Sequence, residues 1–161
     1  MAVPEFITAL RTRVGTALLW MPGVSAVVLD DGGRVLLGRR ADTGRWAVIS
    51  GILEPGEQPA IGLVREVLEE TGVDVRVEAL AAVRAGGVVS YQNGDRAQYL
   101  DLTFWCAWTG GEAHVADDES LDVGWFPTDA LPDELTASSA ERIADTLAFI
   151  ADPTAGPRFD R

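Results

Sequence analysis

The sequence predicts an α+β domain in which helices cover the faces of a mixed β-sheet. Segments with strand and helix patterns follow one another without the strict alternation of a doubly wound parallel sheet. The 161 residues suit a single domain with a sizeable core. With 47% hydrophobic and 24% charged residues, the composition is that of an ordinary globular protein.

The first predicted element is an amphipathic helix over residues 5–20. Apolar side chains recur along it at helical spacing: Phe6, Leu10, Val14 and Ala17. The Met-Pro-Gly segment at 21–23 is expected to end it. We expect this helix either to cap the sheet of its own chain or to pack across the interface of a homodimer.

Short apolar runs bounded by turn residues predict the strands. They are residues 24–30, 34–40, 45–50, 73–83, 97–108 and 122–126. The Asp-Asp-Gly-Gly run at 30–33 is typical of a hairpin turn, and so is Asn93-Gly94.

Two further helices are predicted, at 58–71 and 138–151. Four residues give the first of them an apolar stripe: Ile61, Val64, Val67 and Leu68. Gly72 follows, the residue type that commonly ends a helix. The expected organisation is a helical arm, a main domain and a frayed tail: residues 1–22, 23–152 and 153–161.

Charge and cysteine content narrow the function classes. The formal net charge is −12 and no basic tract occurs, so nucleic acids and anionic membrane surfaces are not expected partners. Cys106 is the only cysteine, which excludes an intramolecular disulfide and suits a cytoplasmic location. The start of the chain lacks the pattern of a signal peptide, and no apolar run has the length of a membrane span.

The segment GILEPGEQPAIGLVREVLEETGV at 51–73 concentrates carboxylates. Glu66, Glu69 and Glu70 stand at i, i+3 and i+4, so they share one helical face and repel one another. They also lie near the helix C-terminus, where the macrodipole disfavours negative charge. A solvated acidic face is one interpretation of this pattern. The other is a site for Mg²⁺ or Mn²⁺, hard cations that take oxygen ligands from carboxylates and phosphates.

The same segment resembles the Nudix box at every defined position. The matching residues are Gly51, Glu57, Arg65, Glu66, Val67, Glu69, Glu70, Gly72 and Val73. The resemblance extends from the strand at Val24 to about Pro132. It implies an α/β/α sandwich and a Mg²⁺- or Mn²⁺-dependent pyrophosphohydrolase that cleaves a nucleoside diphosphate linked to another group.

The resemblance also assigns roles to single residues. Glu66, Glu69 and Glu70 correspond to metal ligands, as does the backbone carbonyl of Ser50, where many members have glycine. Glu66, Glu69 and Arg65 correspond to catalytic residues, with Glu66 a candidate base. Two residues are expected to orient the cluster, and they are Gly51 and Glu57.

Residues outside the box are candidates on weaker grounds. Glu119 lies six residues before Trp125, where some members have a loop glutamate that serves as metal ligand or base; Asp117 and Asp118 are possible replacements. Arg40, or its neighbour Arg39, ends a strand where the family often contacts phosphate. Trp46 is either a core aromatic or a base-stacking residue. The only histidine, His114, is expected at the surface.

The sequence leaves the substrate open among a nucleoside triphosphate, a nucleotide sugar such as ADP-ribose, and a dinucleoside polyphosphate. Tyr91 lies 18 residues after the box, as in dinucleoside polyphosphate hydrolases, whereas Val88 stands where ADP-ribose hydrolases often have proline. The NADH-cleaving motif is missing. Tyr91, Asn93 and Asp95 are expected to rim the substrate pocket.

Two other functions compete with hydrolysis of a nucleotide. One is a catalytically silent domain that senses nucleotides, which usually shows lost box residues. The other is nucleic-acid decapping, which the negative charge disfavours.

Overall fold

The computed structural model describes residues 3–159. The helices are α1 (Glu5–Val14), α2 (Pro59–Thr71) and α3 (Ala137–Ala151), followed by a 3-10 turn at Pro153–Ala155. The strands are β1 (Leu18–Leu29), β2 (Arg34–Arg40), β3 (Trp46–Ala47), β4 (Ile49–Ile52), β5 (Asp74–Ala85), β6 (Val89–Ser90), β7 (Arg96–Gly110) and β8 (Ser120–Pro127).

The strands form one mixed sheet with the main order β3-β2-β1-β7-β5. Strands β1 and β7 run parallel over twelve residue pairs, and the other pairings are antiparallel. Strand β4 pairs with β1, β8 with β2, and β6 with β7. The sheet lies between helical layers, which confirms the predicted α+β sandwich.

The core has one cluster on each face of the sheet. Val24, Ala26 and Val28 of β1 pack with Leu63 and Val67 of α2. Val27 lies between them in the sequence, points to the other face and packs with Ile143 of α3. Because β1 is covered on both faces, its sequence is an almost unbroken apolar run.

The N-terminal helix is shorter than predicted. It ends at Val14, followed by Gly15 with φ of 57°, and residues 18–23 belong to β1. They pair in parallel with residues 96–101 of β7, so sheet hydrogen bonds override the helical spacing of the apolar residues. The predicted arm at 1–22 therefore contains the beginning of strand β1 as well as α1.

Helix α1 covers the end of the sheet in its own chain. Ile7 is 4% exposed and packs with Met21, Ile52 and Ala97. This contact supports the interpretation of the helix as an intrachain cap.

Two further predictions need correction. Residues 45–50 form two strands, because the N–H of Val48 donates to Ser139 Oγ at 3.1 Å instead of to a strand. The C-terminal segment is not frayed as far as residue 159. The N–H of Arg158 donates to the carbonyl of Ala81 at 2.7 Å, and the N–H of Val83 donates back to Arg158 at 2.8 Å. The prediction for residues 160 and 161 lies outside the described residues.

The helices of residues 3–159 include none with the length and apolar content that a membrane span requires.

Candidate active site

Helix α2 is fixed to the sheet by its buried residues, and these match the predicted stripe at Val67, with Val64 partly buried beside the core, but not at Ile61 and Leu68. Leu63 and Val67 are fully buried, whereas Ile61 and Leu68 are 65% and 47% exposed. The helix therefore turns the Gly62–Glu66 side toward the sheet. Gly72, with φ of 67°, ends the helix as predicted, and its N–H donates to the carbonyl of Leu68 at 2.9 Å.

Glu66 is the buried carboxylate of the site. It is 5% exposed and lies against Gly51 of β4, so closely that a Cβ on Gly51 would stand 2.3 Å from Glu66 Cγ. Only glycine leaves room for this approach. Burial raises the pKa of Glu66, and the neighbouring Arg65 charge opposes the rise.

Arg65 connects three carboxylates. Its Nε and Nη2 atoms donate to the two oxygens of Glu57 at 3.0 and 3.1 Å, a bidentate pair. Its Nη1 atom donates to Glu66 and to Glu69, each at 3.1 Å. The Arg65 hydrogen bonds lower the pKa of Glu57, whose Oε2 also accepts the N–H of Glu54 at 3.0 Å. Arg65 thus braces Glu66 and Glu69, two of the three glutamates that the sequence assigns to one helical face.

We expect Arg65→Lys to lower turnover about 10-fold, because an ammonium group cannot reproduce the fork that holds Glu57 and Glu66 together. The loss should appear in steady-state hydrolysis assays, with a melting temperature within a few degrees of wild type. Arg76→Lys is the matched control, since Arg76 makes an exposed ion pair with Glu78 on β5. Equal activity of the two variants would contradict the bracing role.

Glu70 lies in the most acidic part of the site. Burial and the charges of Glu66 and Asp117 raise the pKa of Glu70 to about 7, and Arg40 opposes the rise. Asp117 reaches this position because its loop docks on the end of α2. The N–H of Ala116 donates to the carbonyl of Glu70 at 3.2 Å, which also caps the helix.

The same loop carries Glu119, the predicted loop acid. Its carbonyl accepts the N–H of Ala41 at 2.8 Å, and its own N–H donates to Asp117 Oδ1 at 3.0 Å. The loop is therefore tied both to α2 and to the end of β2. Since Asp117 acts on the pKa of Glu70, the structure supports Asp117 as a second candidate for the loop acid.

The donor set suits a hard divalent cation. Glu66, Glu70 and the carbonyl of Ser50, which directly precedes Gly51 on β4, offer oxygen atoms only. Burial raises the pKa of both Glu66 and Glu70, and a cation bound beside them would stabilise their ionised forms. In this conformation, residues 3–159 contain no group of three acidic, histidine or cysteine side chains that could hold a metal. Mg²⁺ sites in proteins often use one or two carboxylates together with water and substrate phosphate, and the arrangement fits that pattern.

Arg40 lies at the edge of this acidic site. Its side chain is 45% exposed and forms a bidentate pair with Asp42, with contacts of 2.9 and 2.6 Å. The Asp42 hydrogen bonds are the main cause that raises the pKa of Arg40, and the negative charge of Glu70 adds to the rise. Arg40 is therefore near both the carboxylates and the predicted pocket rim. Arg39 instead donates to the carbonyl of Gly44 at 2.9 Å.

Trp46 is a core residue. It is 9% exposed, packs with Val27 and Ile143, and makes an edge-to-face contact with Phe126 at 4.7 Å between ring centroids. The structure thus decides between the two predicted roles, because a ring enclosed in the α3-side core cannot stack on a substrate base.

The predicted rim residues lie on the turn between β6 and β7. Tyr91 is 41% exposed, and its hydroxyl lies 2.7 Å from that of Tyr99. Asn93 shapes the turn itself: its amide donates to Asp95 Oδ2 at 2.9 Å, and its Oδ1 accepts the N–H of Asp95 at 3.0 Å. Tyr99 lies within the predicted strand at 97–108, where no motif marked it as a site residue.

His114 is exposed, as predicted, but it is not isolated. Its ring covers Gly72, where a Cβ would stand 2.1 Å from the ring carbon Cε1. The backbone N–H of His114 donates to the carbonyl of Thr71 at 3.0 Å. His114 therefore helps to seat the acidic loop on the end of α2.

Comparisons with known proteins agree with this geometry. The NUDIX domain model matches residues 19–146. The chain is 37% identical over 124 residues to a MutT-like protein of Streptomyces ambofaciens, covering 77% of this chain and 75% of that protein. It is 32% identical over 131 residues to the human 8-oxo-dGDP phosphatase NUDT18, covering 78% of this chain but 38% of that protein.

A solved NUDIX hydrolase from Nitrosomonas europaea has a TM-score of 0.65 and 27% identity to this chain, with coverage of 81% of this chain and 90% of that one. The NUDIX model spans the carboxylate-rich segment at 51–73, and the solved hydrolase has a similar overall fold. The chain belongs to the Nudix hydrolase family.

Proposed function

We propose that this chain is a divalent-metal-dependent pyrophosphohydrolase that cleaves the P–O–P bridge of a nucleoside diphosphate derivative. The observation that carries the proposal is the seat of Glu66 on Gly51, with Glu70 beside it and Arg40 at the edge. Burying two carboxylates is costly unless a cation or proton compensates them. A site that keeps both is suited to hold positive charge together with phosphate.

Glu66, Glu70 and the Ser50 carbonyl are the groups that would hold Mg²⁺ or Mn²⁺, with Glu69 or the loop acid Glu119 as further ligands. A bound cation of this kind neutralises phosphate charge and lowers the pKa of a coordinated water. The protein supplies position: Arg65 keeps Glu66 and Glu69 in fixed orientations, and the Glu57 pair keeps Arg65 in place. Most of the rate acceleration would then come from charge stabilisation and alignment.

Two side chains are suited to contact the substrate and take part in proton transfer. Arg40 can exchange Asp42 for a phosphate oxygen, because guanidinium binds both in the same bidentate geometry. Glu66 is the candidate base, since burial raises its pKa, and the Arg65 hydrogen bond to Oε1 fixes the orientation of the carboxylate.

The relatives help to choose the substrates for a first test. The human relative is described as an 8-oxo-dGDP phosphatase, so oxidised deoxyguanosine di- and triphosphates come first. ADP-ribose and diadenosine polyphosphates come next, because the sequence also leaves nucleotide sugars and dinucleoside polyphosphates open as substrates. Each should be incubated with Mg²⁺ and separately with Mn²⁺, and the products identified by mass spectrometry.

We expect one class to give a nucleoside monophosphate and a second phosphate product, with no turnover in EDTA. Hydrolysis in ¹⁸O-labelled water would show which phosphorus is attacked. Nucleotide binding in calorimetry without turnover of any compound would contradict the proposal and favour the silent sensor. Release of nucleotide from capped RNA at a higher rate than from free nucleotides would favour decapping.

A further inference from the structure

Arg11 of α1 makes a set of contacts that the proposed chemistry does not use. Its side chain is only 13% exposed, although it belongs to a surface helix. Nη1 donates to the carbonyls of Gly15 and Ala17 at 2.9 and 2.6 Å, and Nη2 donates to the carbonyl of Arg96 at 2.7 Å. Three carbonyls from two separate parts of the chain therefore meet on one guanidinium.

Arg11 also reaches the turn that carries Tyr91. Its Nε lies 3.5 Å from Asp95 Oδ1, and the other oxygen of Asp95 accepts the amide of Asn93 at 2.9 Å. The N–H of Tyr91 donates to the carbonyl of Asp95 at 2.9 Å, which closes the turn. The position of Tyr91 thus depends on a chain of contacts that begins at Arg11.

Tyr91 is held at its other end by Tyr99. The two hydroxyls are 2.7 Å apart, and these are the only tyrosines of the sequence. Burial and the Tyr91 hydrogen bond both raise the pKa of Tyr99, so the Tyr99 hydroxyl stays protonated at neutral pH. One phenol donates to the other, which leaves the remaining O–H proton for a ligand.

The tyrosine pair adjoins the box. A Cβ at Gly23 would stand 3.4 Å from Tyr99 Cδ1 and 3.7 Å from the carbonyl oxygen of Gly51. Tyr99 also packs in the cluster of Ile7 and Ile52, which joins α1 to the strand that carries Gly51. The charge of Arg40 lowers the pKa of Tyr99 and also that of Glu70, against the larger effect of burial on each. The pair therefore forms a wall next to the phosphate-binding part of the site.

We propose that Arg11 is a positioning residue that holds Tyr91 against Tyr99 for contact with the nucleoside part of the substrate. The inference rests on the proposed function, because it assigns a contact within the same site. An exposed aromatic ring with a hydroxyl suits a nucleoside, which has an apolar base face and hydrogen-bonding edges. Arg11 would act through Tyr91 and touch no reacting atom.

The kinetic test compares Arg11→Ala and Arg11→Lys with Arg13→Ala, an exposed arginine of the same helix. We expect KM to rise about 10-fold in Arg11→Ala with kcat within twofold, because ground-state positioning is lost while the carboxylates stay in place. Lysine keeps the charge but not the fork, so its effect should be intermediate. Arg13→Ala should leave both constants within twofold of wild type.

A double-mutant cycle with Tyr99→Phe tests whether both residues act through Tyr91. The combined variant should raise KM no further than the larger single effect, since either change frees the same side chain. Additive effects on KM, or a loss in kcat with unchanged KM, would overturn the proposal.

Hydrogen–deuterium exchange of the protein without nucleotide or metal gives a readout that needs no hydrolysis. Arg11→Ala should speed exchange about 10-fold in a peptide covering residues 89–96, where the N–H groups of Tyr91 and Gly94 are hydrogen-bonded. Exchange in α2 should stay unchanged, which separates loosening of this turn from general destabilisation. Unchanged exchange at 89–96 overturns the positioning role whatever the turnover. Faster exchange in a protein that hydrolyses nothing in the panel would refute the proposed function and leave the link from Arg11 to the turn intact.

Discussion

Gly51→Ala is expected to lower hydrolysis at least about 100-fold while leaving the fold intact. The new Cβ would stand 2.3 Å from Cγ, 2.4 Å from Cδ and 2.6 Å from Oε1 of Glu66. The contact runs along the Glu66 side chain from Cγ outward and involves no backbone atom, so the clash is relieved when Glu66 rotates away. The backbone of Gly51 lies outside the left-handed region, so alanine adds no strain in φ. The carboxylate, however, cannot keep its position.

The comparison for this variant is Gly87→Ala, since a Cβ at Gly87 would meet no atom within 4 Å. Activity should be measured at saturating Mg²⁺ alongside the thermal unfolding midpoint. We expect Gly51→Ala to unfold within a few degrees of wild type and Gly87→Ala to keep full activity. An active Gly51→Ala enzyme would show that the buried position of Glu66 is not required.

Glu70→Gln should also remove most activity, by about 100-fold or more, because an amide is a poor ligand for a hard cation. The same substitution should raise the stability of the folded protein, although it lowers activity. Burial and neighbouring carboxylates raise the pKa of Glu70 from 4.5 to about 7, so the folded state binds this proton more tightly than the unfolded chain does. Wild-type stability therefore falls as the pH rises from about 4.5 to about 7. Glutamine does not titrate, so Glu70→Gln does not lose stability in this way as the pH rises.

In EDTA at pH 8, Glu70→Gln should be more stable than wild type, and near pH 4 the two should have equal stability. Urea unfolding at both pH values measures the difference. Glu141→Gln on the exposed side of α3 is the control that loses one charge without entering the site. Near-normal turnover of Glu70→Gln with Mg²⁺ present would contradict the assignment of Glu70 to the site.

These two variants test separately the position and the charge of the carboxylates in the site. Gly51→Ala keeps every carboxylate and disturbs where one of them lies, whereas Glu70→Gln keeps the geometry and removes one charge. If both variants lose activity and only Glu70→Gln gains stability at pH 8, the site depends on carboxylates held close together at a cost to folding. This is the usual trade between stability and activity at a functional site.

The elements that the sequence predicted well are those with a strong local signal. The strand at 34–40 and the end of α2 at Gly72 agree with the structure, because turn residues bound the strand and a left-handed glycine ends the helix. The spacing of the box glutamates predicts that they share one helical face, and in the structure Glu66 is buried while the side chain of Glu69 is exposed. The errors concern contacts between distant residues. Residues 18–20 have helical spacing and still form a strand, because β7 supplies parallel partners about eighty positions away.

The sequence by itself determined the family and the sheet class and predicted which carboxylates form the site, since these depend on residue types at short, fixed offsets. Tertiary structure alone decided which face of α2 is buried, that Trp46 belongs to the core, and that Arg11 reaches the turn of Tyr91. Each of these depends on how helices seat on the sheet, and that seating is set by packing against strands far away in the chain. Local patterns specify what a segment can form, and only the assembled core specifies what it touches.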